Sequence, residues 1–194
     1  MTKLEASVDK DVALVAKTNR VPAKTSWYIF QGQVSNNLGQ PVVADFLVVG
    51  LNTDGSVFRK PIHLFDFINE FKLQETMHTE NISENDLAAL HKSLVKAVTS
   101  VTSYMSTEQK QLEVKMETKL NEYEQKLANW KNDALEQLEL DFSDKTITPF
   151  FSGKKDSKKR EIETILSSTS QYNKNMTSLQ GDAYLKVLAV FFNA

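Results

Sequence analysis

The chain has 194 residues, of which 41% are hydrophobic and 25% charged, with no cysteine and a formal charge of −2. That balance belongs to a packed protein rather than a disordered one, and the length suits one large domain or two small ones. Without cysteine, disulfides, thiolate nucleophiles and cysteine-ligated zinc or iron sites are all excluded.

The small net charge hides an uneven distribution. Residues 1–82 carry 8 basic and 9 acidic side chains, residues 83–141 carry 7 and 11, and residues 142–194 carry 8 and 5. The last part is locally basic, which allows a nucleic-acid contact without demanding one. The first residues lack the uninterrupted apolar core of a signal peptide, and no stretch reaches the ~20 apolar residues of a membrane span. A soluble, cytoplasmic protein with no membrane partner is the expectation.

Leu4, Val8, Val12 and Val15 are spaced for a short amphipathic helix, which Asn19 to Pro22 should end. Trp27 to Val34 and Val42 to Leu51 are aromatic and β-branched runs, joined by Asn36-Asn37-Leu38-Gly39, where Asn and Gly accept positive φ. Asn52-Thr53-Asp54-Gly55 signals a second turn before a short strand through Arg59, so a three-stranded antiparallel meander is expected. Pro61 should open a helix that aligns Leu64, Phe67, Ile68 and Phe71 on one face to cover the sheet. Residues 74–82 read as a polar linker.

From Ser83 to about Asp141 there is no Pro and no Gly. Ser83 is the expected N-cap, with Asp86 three residues on. Leu87, Leu90, Leu94, Val98, Val101 and Met105 form a first apolar stripe. A second runs through Leu112, Met116, Leu120, Tyr123, Leu127, Trp130, Ala134 and Leu138, in steps of three and four that suit packing against another helix. Ser106 with Gln109 fits a capping box, so one helix of this length and two helices folded back are both open. Thr146 to Gly153 predicts a loop, followed by a basic helix carrying Ile162, Ile165 and Leu166. Asp182 to Phe192 is apolar on most faces and predicts a buried C-terminal helix.

Complete catalytic constellations are missing. His63, His78 and His91 form no spaced pair with a ligand, and there is neither a GxxxxGK[ST] loop nor a GxSxG elbow. A nuclease reading would join Asp45 to Glu113-Val114-Lys115 or Glu117-Thr118-Lys119, but both triplets lie in the long helical run, where Glu and Lys are simply good helix formers. No enzyme activity, metal or cofactor is therefore expected. A small-molecule site in the groove between sheet and helices has no residue set behind it. What remains is the basic cluster Lys154, Lys155, Lys158, Lys159 and Arg160, with Phe150 and Phe151 beside it, able to meet a phosphate backbone and stack on bases, or else to form a solvated face and a helix-junction plug.

The segment Asn121 to Glu139 reads NEYEQKLANWKNDALEQLE. It resembles the C-terminal accessory region of bacterial Swi/Snf-type (RapA-like) ATP-dependent helicases, where a helix reading roughly E-x-x-K-L-x-x-W-x-x-D-x-x-x-x-L-E precedes a basic helix. Glu124, Leu127, Trp130, Asp133, Leu138 and Glu139 carry the likeness, Lys158 to Glu163 stand where the basic helix begins, and Phe46 to Gly55 are similar to the preceding β-hairpin. Pro149 and Gly153 depart from a continuous returning hairpin, and nothing of the motor is present. The resemblance implies a non-catalytic accessory domain of a helicase or translocase, contacting DNA or the motor domains.

The expected fold is α+β. A small antiparallel sheet with a covering helix occupies residues 1–82, and a long helical hairpin, a coiled-coil-like arm, with a buried C-terminal helix occupies 83–194. Lys154, Lys155, Lys158, Lys159 and Arg160 are the expected nucleic-acid contacts, and Leu120, Tyr123, Leu127 and Trp130 the expected partner-helix packing. The alternative is a protein-interaction or self-dimerising module acting through the long helices.

Overall fold

The computed structural model describes residues 13–73, 81–143 and 149–193. Its strands are β1 (Leu14–Lys17), β2 (Thr25–Ser35), β3 (Pro41–Asn52), β4 (Val57–His63) and β5 (Tyr184–Asn193), and its helices are α1 (Leu64–Glu70), α2 (Glu84–Ser143) and α3 (Pro149–Thr177). The α+β class is as expected. Two compact units part within α2, where the sequence set a boundary at 82/83. One holds the sheet, α1 and α2 as far as Gln109; the other holds Ser35–Gln40 and Lys110–Gln180.

In the first unit the strands lie in the order β1-β5-β2-β3-β4. β5 runs parallel to β1 and antiparallel to β2, so the sheet is mixed rather than purely antiparallel. Alternation sends Trp27, Ile29, Val48, Ala189 and Phe191 to one core, closed by Phe67 of α1. There Trp27 is fully buried among Phe58, Phe67 and Phe71, at ring-centroid distances of 5.7, 5.1 and 4.9 Å. Tyr28 points to the opposite face, where its hydroxyl lies 2.9 Å from the Leu90 carbonyl and 2.5 Å from Ser93 Oγ on α2. Gly32 lets that helix approach closely, since a Cβ there would sit 3.0 Å from Met105 Sδ.

α2 is a single helix of 60 residues, about 90 Å long at 1.5 Å per residue. Ser83 and Asp86 cap it reciprocally: the Ser83 N–H donates to Asp86 Oδ2 (3.0 Å) and the Asp86 N–H to Ser83 Oγ (3.2 Å). The Asp86 carboxyl is held below the usual carboxylate range chiefly by the Ser83 backbone N–H and then by its hydroxyl. From the first stripe, Leu90, Val101 and Met105 are buried with Ala97, whereas Leu87 is 46% exposed. Ser106 and Gln109 do not break the helix, and Gln109 Nε2 instead donates to the Gly181 carbonyl at 2.9 Å.

Other expectations are corrected. The C-terminal segment is not a helix but strand β5, between β1 and β2. A strand covered on both faces reads as an unbroken apolar run, just as a buried helix does, and Val187, Val190, Phe191 and Phe192 favour the extended form. Leu14 and Val15 belong to β1 rather than a helix, while residues 4–12 of that expected helix, and most of the 74–82 linker, lie outside the described residues. Pro61 sits within β4 instead of opening α1, which suits an edge strand where a missing N–H costs no ladder bond. α3 starts at Pro149 and passes through Gly153, where a loop was expected. Proline fits a first helical turn because its absent N–H needs no partner there, and the exposed Gly153 costs only about 1 kcal/mol relative to Ala.

Candidate nucleic-acid interface

The second unit pairs the C-terminal part of α2 with α3. Lys155 Nζ reaches Glu139 Oε2 at 2.5 Å, and Ser170 Oγ donates to Glu124 Oε1 at 2.7 Å. Fifteen residues separate each pair of positions on its own helix, so the two helices run antiparallel in constant register. The Pro149 and Gly153 departures therefore leave the returning helix whole. At the far end of α3 the turn Ser35–Gln40 is bound by the Asn36 side chain to the Met176 carbonyl (3.2 Å) and by the Asn37 N–H to Ser178 O (2.9 Å).

The expected packing residues divide. Leu120, Tyr123 and Leu127 are half-buried, Leu138 is buried, and Ile162 and Leu166 of α3 are half-buried. Trp130, by contrast, is 41% exposed. Glu124, Leu127, Ala128, Lys131, Leu166 and Ser167 line a shallow groove between the two helices.

The basic cluster falls in the first turns of α3. Lys154, Lys158, Lys159 and Arg160 are exposed, and no carboxylate of the described residues pairs with them. Lys155 is half-buried and engaged by Glu139. Lys154 and Lys158, like Lys155 and Lys159, are four apart and share a helix face, where like charges repel and gain from a polyanion. Asp133, Glu136, Glu139 and Asp141 make the facing end of α2 acidic. Phe150 and Phe151 are in the first turn of α3, with side chains outside the described set.

Asp45 Oδ2 lies 2.9 Å from His63 Nδ1, a pairing the sequence did not suggest because β3 and β4 had to be paired to create it. Glu113 and Glu117 are on α2, as expected. His91 is exposed on the same helix, and His78 is outside the described residues. Among the described residues no cluster of three His, Asp or Glu side chains could hold a metal ion, and no helix is long and apolar enough to cross a membrane. No family model, curated protein or solved structure matches the chain.

Proposed function

We propose that the chain is a non-catalytic accessory domain of a bacterial Swi/Snf-type helicase or translocase, acting in the cytoplasm, whose α2–α3 hairpin is an arm that touches nucleic-acid backbone or the motor. The observation that carries this reading is the set of four exposed cations in the first turns of α3 that no carboxylate of the described residues pairs with, on a hairpin whose two helices keep register. Each phosphate contact contributes about 0.9 to the slope of log affinity against log salt on duplex DNA, and about 0.7 on single strands. Fluorescence anisotropy of labelled single- and double-stranded DNA at low and physiological salt tests it. Replacing Lys154, Lys155, Lys158, Lys159 and Arg160 with Ala should abolish most affinity and flatten that slope by about 3 to 4 on duplex DNA. Unchanged affinity and slope would refute the contact.

The half-exposed Trp130 favours a second reading, in which this face of the arm binds a protein or a second copy, since tryptophan is enriched at interfaces. Concentration-dependent mass that Trp130→Ala abolishes, with no salt-sensitive DNA binding, would decide for it.

A further inference from the structure

Within the first unit, a groove of about 750 Å³ opens between β4 and α2, the size of a site for a small organic ligand. Lys60 stands on the strand wall and Lys96 on the helix wall, with Val57, Pro61 and Tyr104 among its lining residues. Lys60 has no partner among the described residues. Lys96 crosses the β3–β4 turn, its Nζ donating to the Asp54 carbonyl at 3.3 Å. Gly55 makes room for it, for a Cβ there would lie 2.7 Å from the ammonium.

The floor sorts donors from acceptors. Thr99 and Thr107 give their hydroxyl protons to the Val95 and Ser103 carbonyls, whereas the hydroxyls of Ser100 and Ser103 make no hydrogen bond among the described residues. Two ammonium groups and two uncommitted hydroxyls thus face one space, a donor set that suits a phosphate's three terminal oxygens. Lys96 also lies near the Asp54 carboxylate, which Ser56 chiefly and Lys96 in smaller part hold below its usual pKa. At the other end burial, then the carboxylates of Glu108 and Asp45, hold the Tyr104 hydroxyl above its usual pKa, so that end favours hydrogen-bond donors. The groove's strand wall does not template a further strand, because β4 carries Pro61 and two register irregularities.

We infer that this groove binds a nucleotide-sized phosphate ester, with the phosphate between Lys60 and Lys96 and the planar, donor-bearing part against Tyr104. It is separate from the basic cluster on α3 and does not depend on the nucleic-acid reading of that cluster.

Calorimetric titration of the full chain with AMP, adenosine and inorganic phosphate tests it. AMP should bind with a Kd below about 1 mM, phosphate should compete, and adenosine alone should bind at least about tenfold more weakly. K60A/K96A changes two exposed side chains and should keep the wild-type circular dichroism while weakening AMP at least about tenfold. The five-alanine variant of α3 should bind AMP as wild type does. No saturable AMP binding up to about 10 mM, equal affinity in K60A/K96A, or loss of AMP in the α3 variant would each overturn the assignment. So would K60A/K96A losing an oligonucleotide while AMP fails to bind the wild type, which would make the groove a strand channel.

Discussion

Gly50→Ala tests the packing of the sheet core most sharply. A Cβ at Gly50 would lie 3.0, 3.0 and 3.1 Å from Cη2, Cζ3 and Cε3 of Trp27, several tenths of an ångström inside ordinary carbon contact. The indole has no easy retreat, because Phe58, Phe67 and Phe71 surround it and its Nε1 donates to Thr25 Oγ1 at 2.9 Å. Overpacking of this kind costs about 1–3 kcal/mol, and losing a glycine returns about 0.4–1 kcal/mol by restricting the unfolded chain. The net loss is about 1–2 kcal/mol, or a fall in Tm of about 2–8 °C for a chain of this size. Thermal unfolding followed by circular dichroism measures it, and a Trp130→Phe background leaves Trp27 as the one tryptophan contributing to the near-UV ellipticity. Gly153→Ala is the control: nothing lies within 4 Å of its would-be Cβ in α3, so the same chemical change should stabilise by about 0.5–1 kcal/mol. A Gly50→Ala protein as stable as wild type would refute the claim that Trp27 is clamped.

Tyr28→Phe removes the bond to the Leu90 carbonyl and should cost about 1–2 kcal/mol in denaturant unfolding. Burial raises the Tyr28 pKa above its unfolded value, so its contribution is whole below about pH 10 and is lost as pH rises through the folded pKa; the variant's stability should fall less steeply above about pH 10. Asp86 has the opposite sign: its lowered pKa means that its cap is intact above about pH 4 and fails as pH falls through the folded value, so amide protection at the start of α2, taken relative to the intrinsic exchange rate at each pH, should fall on acidification, but not in Asp86→Asn. In the hairpin, Leu138→Ala should cost about 2–4 kcal/mol because the side chain is 5% exposed, whereas Leu140→Ala, at 62% exposed, should stay within about 0.5 kcal/mol by denaturant titration.

Much of the local structure was legible because it depends on neighbours in sequence. The Ser83–Asp86 cap, the turns at Gly39 and Gly55, with φ of 75° and 77°, and the uninterrupted run of good helix formers in α2 are all properties of a few adjacent residues. The basic side chains of α3 were legible for the same reason, though that Lys155 alone of them is paired among the described residues, with Glu139, required the register of the two helices. β5 was misread because period carries no information when both faces are buried. The Asp45–His63 pair and the Lys60–Lys96 groove were invisible, since each joins residues from elements whose pairing is set by the sheet.

By itself, then, the sequence determined where α2 begins, which turns close and which residue types are available for chemistry, because backbone sterics and side-chain periodicity act over a handful of bonds. Only the tertiary structure decided that the last segment enters the sheet beside β1 and β2, that α2 serves two units, and which cations face one another. Those outcomes depend on burial of surfaces far apart along the chain, and no local pattern encodes which distant surface will cover a given one.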